Sequence, residues 1–348
     1  MSGGNLRVYL AERPKAEIIP GTTLKTETVP IPKAEDLKDG QLLVENLYMS
    51  LDPAMRGWLN DTRSYVPPVG IGETMRAATV SRVLASKSPK AKPGDILPTI
   101  AGWTEYAIIP DATIEPIDAY PSVTHPSDYL SAIGMTGLTA YFGMLRIGEP
   151  RQGETVVVSG AAGATGSVAG QIAKLRGARV VGIAGTDEKC AWLTRELGFD
   201  AAINYKDPDF HRKFREATPD RIDVFFDNVG GEVLDMALGR ANEFSRFVIC
   251  GGISQYNSAN VQGPKNILNV ISMRIKLQGF IVFDYAKDFA AARKELAQWL
   301  DEGKIKRKET ILKGGLQVAE QGLVDLYKGI NTGKLMVEIK SPTAPSKL

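Results

Sequence analysis

Three glycines, Gly160, Gly163 and Gly166, follow the apolar run Thr155–Val158 at intervals of three and precede a segment with apolar residues at helical spacing. A strand, a turn of small residues and then a helix let backbone amides approach a phosphate, and the positive end of the helix favours the anion. The spacing departs from the strict Gly-x-Gly-x-x-Gly form. The strand before and the helix after nevertheless supply the context of a dinucleotide site, against the competing reading of a tight helix–strand junction with no ligand. The end of the next apolar run, Arg179–Ala184, bears on which dinucleotide. Gly185 and Thr186 leave room there, and Lys189 is the candidate partner of a 2′-phosphate, its alternative being a solvated helix lysine. Asp187 and Glu188 fall in the first turn of the following helix, with Thr186 as expected N-cap, where acids complement the helix dipole.

The other reactive side chains are few. Two cysteines, Cys190 and Cys250, and two histidines, His125 and His211, are all the chain contains. A four-cysteine zinc site is arithmetically impossible, no paired-cysteine spacing suggests a disulfide framework, and a reducing compartment fits. His125, between Thr124 and Pro126, and His211, in the charged run Phe210-His-Arg-Lys, are poor general bases. Ser159-Gly160 lacks the Gly-x-Ser-x-Gly setting of a hydrolase nucleophile.

These residues need elements to hold them. Up to about residue 125 the chain carries short β-type segments (42–46, 77–84, 106–109) divided by turns such as Pro67-Pro68 and Pro93-Gly94-Asp95, the pattern of a mostly antiparallel β domain. From about Ser131, apolar runs alternate with helical segments, the signature of a parallel sheet, and the boundary is expected near 121–130. Strands are expected at 155–158, 179–184, 201–203, 222–226, 246–250 and 275–283. Helices are expected at 167–176, with Val168, Ile172 and Leu175 on one face, at 187–197, after Gly230-Gly231, and at 288–300. Gly177 and Gly198 are read as helix stops. That makes a doubly wound nucleotide-binding domain. The tail, with a helical piece at 318–326 and a β-like run at 334–340, is expected to rejoin the first domain, and 341–348 to fray.

Composition narrows the function classes. With 42 basic and 40 acidic residues among 348, the formal charge is +2, and no electrostatic excess calls for nucleic acid or an anionic membrane. The opening residues lack the apolar core of a signal peptide, and no run approaches the roughly 18 apolar residues of a membrane helix. A cytoplasmic location is expected.

Several runs together resemble one family. Met135-Thr-Gly-Leu-Thr-Ala-Tyr141, Ala161-Ala-Gly-Ala-Thr-Gly166, Gly185-Thr-Asp-Glu-Lys189 and Asn204-Tyr205 look like the prostaglandin reductase/leukotriene B4 12-hydroxydehydrogenase family of zinc-independent medium-chain dehydrogenase/reductases, which includes plant and microbial double-bond reductases. Leu51-Asp-Pro-Ala-Met-Arg-Gly57, Asp227-Asn-Val-Gly-Gly231, Cys250-Gly-Gly-Ile-Ser-Gln-Tyr-Asn257, Gly279-Phe-Ile-Val282 and Asn331-Thr-Gly-Lys334 extend the match over most of the chain in order. The resemblance implies a GroES-like, mainly-β catalytic domain (1–130 and 309–348) and a doubly wound Rossmann domain (131–308). It also implies NADPH as hydride donor, an enone or enal as substrate and a homodimer. By matching position, Gly163, Ala164, Thr165 and Gly166 would cradle the pyrophosphate, Lys189 and Tyr205 would contact the 2′-phosphate, and Asn228 would line the adenosine side. Met135, Cys250, Gly251, Gly252, Ile253, Ser254, Tyr256, Phe280, Ile281, Val282 and Asn331 would surround the nicotinamide.

One position departs from the family. Ala54 stands where relatives often carry a tyrosine bordering the substrate pocket, so the pocket is expected to be larger or differently shaped, with Trp58 and Tyr65 available to refill it. Enone reduction needs charge stabilised on the carbonyl oxygen. Without zinc ligands, Tyr256 is the candidate donor, because a phenol stays protonated at neutral pH; the alternative is a tyrosine that only packs on the coenzyme, with ribose hydroxyls or water in its place. A quinone oxidoreductase of the same superfamily and a non-catalytic NADPH-binding protein are the competing functions.

Overall fold

The computed structural model describes residues 4–114, 125–343 and 346. Two compact units emerge, residues 1–130 with 309–348 and residues 131–308. The expected boundary at 121–130 and the expected frayed end fall partly outside the described residues.

The first unit begins with an antiparallel pair, β1 (Asn5–Leu10) and β2 (Leu24–Val29). Its centre is β3 (Gln41–Ser50), whose apolar run is buried almost throughout because neighbours flank both its edges. After the one-turn α1 (Met55–Trp58) come β4 (Thr79–Ser86), β5 (Ile96–Thr99) and β6 (Tyr106–Pro110). β4 pairs antiparallel with β3 and β5, and β6 pairs antiparallel with β3.

The second unit opens with α2 (Met135–Phe142), running into a π-helical turn at Gly143–Gly148, neither of which the apolar periodicity had marked. Strands β7 (Thr155–Val158), β8 (Arg179–Ala184) and β9 (Ala201–Asn204) alternate with α3 (Ala164–Leu175) and α4 (Asp187–Arg195). Then follow α5 (Phe210–Ala217), β10 (Ile222–Asp227), α6 (Gly231–Leu238), β11 (Ala241–Ile249), α7 (Asn269–Ser272), β12 (Lys276–Gly279) and α8 (Phe289–Asp301). The six strands are parallel in the order β12-β11-β10-β7-β8-β9, so the chain winds outward in both directions from the β7/β10 pair. This is the doubly wound Rossmann order expected. The all-buried pattern of β7 fits a parallel sheet covered on both faces.

Some bounds differ for physical reasons. α3 begins at Ala164 instead of 167, so the glycine turn is shorter and its last residues open the helix. Leu175, expected on the buried face, is 40% exposed and lines a shallow surface groove with Trp299. The strand expected at 275–283 stops at Gly279. Among the described residues its one neighbour is β11, which ends at Ile249, the partner of Gly279, so the ladder runs out before Phe280. The charged run at Phe210 is an amphipathic helix that buries Phe210 and Phe214.

The tail supplies β13 (Glu309–Lys313), α9 (Ala319–Tyr327) and β14 (Lys334–Glu338), with β14 antiparallel to β3 and parallel to the unanticipated β13. Buried Glu45 on β3 accepts from Lys340 at 3.0 Å, Arg82 at 3.1 Å and Tyr106 at 3.2 Å, which ties the tail to the sheet. A buried carboxylate with three donors is compensated; removing any one would leave charge exposed to a low dielectric.

Candidate active site

Ligands of doubly wound sheets bind beyond the strand C-termini at the point where winding reverses. Here that point is the β7/β10 pair. At the end of β7, Gly160 has φ +57° and Gly163 takes an extended conformation as the N-cap of α3, with no side chain capping the helix. The first amides of a twelve-residue helix therefore face a turn of small residues, the arrangement an anion needs. Gly166 has a different duty. A Cβ there would lie 2.4 Å from the Gly160 carbonyl oxygen and 2.9 Å from the Ala161 Cα, so the third glycine lets the helix sit against the turn. Gly166→Ala is expected to lower stability by about 1–3 kcal/mol, read from denaturant unfolding; an unchanged midpoint would mean that the turn relaxes around the methyl.

Asp227, at the end of β10, organises the loops around this turn, a role sequence reasoning did not assign. Its buried carboxylate accepts from Ser159 Oγ at 2.7 Å and from the amides of Val229 and Gly230 at 3.0 Å, while its carbonyl accepts from the amides of Cys250 and Gly251. Burial pushes the carboxyl above the usual range, and the Gly230 amide, the Ser159 hydroxyl and the Val229 amide pull it back. Asn228 donates through its backbone to Ser159 Oγ at 2.8 Å and through Nδ2 to the Ser159 carbonyl at 2.7 Å.

The 250–256 loop hangs from the same strand. Ile253 N donates to the Asn228 carbonyl at 3.1 Å, and Ser254 donates to the Val229 carbonyl through its amide at 3.1 Å and its hydroxyl at 2.7 Å. The Gly252 amide donates to Tyr256 Oη at 3.1 Å, which fixes the phenol within its own loop. Burial, with the Asp227 charge adding, pushes the Cys250 thiol up to about 12, and burial with Asp187 pushes Cys190 up to about 11. Neither thiol is set up as a nucleophile. Met135 opens α2, and the Phe280 ring packs over Gly143 of the π-helical turn; Ile281 and Val282 follow it, half-buried.

At the ends of β8 and β9, Thr186 caps α4 by accepting from the Lys189 amide at 3.2 Å, as its position suggested. Lys189 itself is only 9% exposed. Burial and then the charge of Lys206 push it below the usual lysine range, with Glu188 opposing. Asp187 is not simply a helix-end charge, because its Oδ1 accepts from Asn204 Nδ2 at 2.9 Å. Tyr205 stands beside Gly185, whose added Cβ would come 3.0 Å from the ring.

Within the first unit, Ala54 precedes α1 and lies in a segment held on both sides. Tyr327 Oη donates to the Pro53 carbonyl at 2.9 Å and accepts from the Arg56 amide at 3.0 Å. Buried Lys334 donates to Asp52 Oδ1 at 2.6 Å and to the Leu51 carbonyl at 3.0 Å, so the motifs at 51–57 and 331–334 meet in space. Asn331 turns its amide to the Gly333 carbonyl at 2.8 Å. Trp58 Nε1 donates to Tyr65 Oη at 3.0 Å, and the Arg76 guanidinium lies 5.6 Å from the Trp58 ring centroid. The histidines lie elsewhere: His211 is exposed beside Glu232, and His125 bonds Ser127.

Residues 7–117 match a family described as the N-terminal domain of oxidoreductase, and residues 164–298 one described as zinc-binding dehydrogenase. The chain is 40% identical to the NADPH-dependent curcumin reductase of Escherichia coli, over 96% of its own length and 97% of that protein's. It is likewise 40% identical to prostaglandin reductase 1 of Bos taurus, over 90% and 92%. The chain belongs to the zinc-independent double-bond reductase family. Among solved structures, CurA of Vibrio vulnificus in complex with NADPH aligns with this family member at a TM-score of 0.88 and 38% identity, covering 97% of this chain and all of that one. Among the described residues of this reductase-family chain, no group of three or more His, Cys, Asp or Glu is gathered as a metal site would require.

Proposed function

We infer that this chain is an NADPH-dependent reductase of the carbon–carbon double bond of α,β-unsaturated ketones and aldehydes, working without zinc. The observation that carries the reading is the uncapped β7–α3 turn at the switch point with Lys189 in α4 and Tyr205 just after β9, in a chain matched over nearly its whole length by relatives named as an NADPH-dependent curcumin reductase and an NADP(+)-dependent 2-alkenal reductase. When bound, the reduced nicotinamide supplies a hydride to the β-carbon, leaving an electron pair to gather on the carbonyl oxygen as an enolate before a proton reaches the α-carbon. The chain's own residues bind, orient and stabilise. The amides of Ala164, Thr165 and Gly166 beyond Gly163 are proposed for the pyrophosphate, Asn228 for the adenosine side, and Lys189 with Tyr205 for the 2′-phosphate. Met135, the 250–256 loop and Phe280 to Val282 are proposed for the nicotinamide. Of the first unit, Asn331 is proposed as a nicotinamide contact and Ala54, Trp58 and Tyr65 as substrate contacts. The Trp58–Tyr65 hydrogen bond gives these two rings a fixed relation to each other. Tyr256 is proposed to donate to the carbonyl oxygen.

The test is consumption of NADPH with a small alkenone, with the product identified by mass and carbonyl retention. A saturated ketone is expected, at a rate unchanged by exhaustive chelation. An allylic alcohol, or loss of activity on removal of stoichiometric zinc, would overturn the reading. Turnover of quinones with none of enones would favour the quinone reductase, and tight NADPH binding without oxidation would favour a binding protein.

A homodimer and a cytoplasmic location complete the proposal. Among the described residues no helix is long and apolar enough to cross a membrane, and both cysteines are free thiols. Among the described residues the edge strand β12 pairs only with β11 and exposes Leu277, and the same unit exposes Phe244 (67%), Leu268 (71%) and Ile271 (74%). An open strand edge with apolar side chains invites a second strand. Light scattering should give twice the chain mass, and Ile271→Asp with Leu268→Asp should give monomers; a monomeric parent protein would remove the dimer.

A further inference from the structure

The turn after β9 carries a cation that the resemblance did not single out. Lys206 Nζ lies 5.8 Å from the ring centroid of Tyr205, the ring that packs against Gly185. Lys189 follows that glycine in the first turn of α4, and the Lys206 charge adds to the burial that pushes its ammonium below the usual lysine range. Among the described residues no carboxylate forms an ion pair with Lys206, and its neighbour Asp207 is engaged by Lys213 and the Asp209 amide. The Lys206 charge makes an ammonium on Lys189 more costly, Glu188 opposing it, and an anion bound at the turn relieves that repulsion.

The nearby acid is turned to another task. Asp187 Oδ1 takes the Asn204 side-chain amide at 2.9 Å, and Asn204 Oδ1 in turn accepts the Lys206 backbone N–H at 3.0 Å. The relay joins the first turn of α4 to the end of β9 and sets the conformation of Tyr205 and Lys206. Tyr205 N also extends the β8 pairing by donating to the Ala184 carbonyl at 3.0 Å.

We propose that Lys206 is a second cation for the 2′-phosphate of the coenzyme, and that Asp187, through Asn204, is the positioning residue that holds it there. This rests on the NADPH reading above. A carboxylate after the second strand, which in other dinucleotide sites would bind the ribose hydroxyls and select NADH, serves here to orient the phosphate-binding turn. The ligand chemistry is a phosphomonoester dianion on a ribose, met by two ammonium groups beside a phenol ring.

The experiment measures dissociation constants of NADP+ and NAD+ by calorimetry for the parent protein and for Lys206→Gln, Asp187→Ala and Asp187→Asn. NAD+ affinity serves as the control for an intact fold. Lys206→Gln is expected to weaken NADP+ about tenfold and leave NAD+ unchanged. Asp187→Ala separates positioning from simple charge. Deleting a negative charge near a phosphate should by Coulomb's law tighten NADP+, whereas loss of the relay should weaken it several-fold. Asp187→Asn keeps an oxygen for the Asn204 amide and should bind NADP+ at least as well as the parent. If Lys206→Gln binds NADP+ as the parent does, the second cation is wrong while the NADPH reading stands. If Asp187→Ala binds NADP+ as tightly or more tightly, the positioning role is wrong. If the parent protein itself fails to prefer NADP+ over NAD+, both the proposal and the reading on which it rests fall.

Discussion

Tyr256→Phe is expected to lower kcat for an enone by roughly 10- to 100-fold while changing the KM for NADPH far less. A hydrogen bond to an oxygen that becomes an enolate is stronger in the transition state than in the ground state, so its loss appears in kcat. The range corresponds to about 1.4–2.7 kcal/mol of barrier. The local geometry also predicts a smaller second effect. Tyr256 Oη accepts the Gly252 amide at 3.1 Å, so phenylalanine removes an acceptor from the loop as well as a donor from the substrate. A loosened loop would register in coenzyme binding, and the split between kcat and KM therefore separates the two roles. The comparison is made with 4-deuterated NADPH, where a primary isotope effect identifies hydride transfer as rate-limiting. Unchanged kcat under that condition would leave Tyr256 as a packing residue and move proton supply to ribose hydroxyls or water.

Local chemistry was legible in the sequence where it depends on contiguous residues. The Gly160, Gly163 and Gly166 spacing marked the turn between β7 and α3, Thr186 marked the start of α4, and the apolar runs marked the six parallel strands. What escaped depends on partners far apart in the chain. Asp227 reads as one acid within an apolar run, and its function as a hub requires Ser159, 68 residues earlier, to lie beside it. The Lys334–Asp52 pair spans 282 residues and cannot be read from either motif alone. Phe280-Ile-Val282 reads as strand because it is apolar, yet a strand needs a neighbour, and β11 ends too soon to provide one. α5 was readable in principle, since Phe210 and Phe214 are four apart and both buried, but its charged residues masked the pair. Function follows the same division. Coenzyme class was visible in short motifs, whereas the segment that carries Ala54 is tied down by Tyr327, 274 residues beyond Pro53, and the Trp58–Tyr65 bond that follows it cannot be read from the motif at 51–57.

Removing the Lys189 ammonium is expected to raise the KM for NADPH by roughly 10- to 150-fold and to leave the KM for NADH nearly unchanged, because a charge-assisted bond to a phosphate is worth about 1.5–3 kcal/mol and NADH has no phosphate to lose. The choice of substitution matters. Lys189 is 9% exposed, so alanine would delete a packed stem along with the charge, whereas Lys189→Met keeps most of the volume and isolates the ammonium. Neither variant should become a good NADH enzyme, since Gly185 offers the ribose hydroxyls no acceptor. The parent protein should also show a pH signature. Burial and the Lys206 charge hold Lys189 below the usual lysine range before the coenzyme binds, so its ammonium is lost at a lower pH than an ordinary lysine's. Only the protonated form pairs with the phosphate. The NADPH preference should therefore be full at neutral pH, decline as pH rises below the ordinary lysine range, and be accompanied by proton uptake on binding in that window. NADH kinetics should lack this limb, and Lys189→Met should abolish it. Asp187→Asn, which can still accept from Asn204, should alter neither coenzyme's KM much. If instead that variant loses NADH use while the Lys189 variants treat both coenzymes as the parent does, Asp187 is the ribose ligand and the preference for NADPH is assigned to the wrong residue.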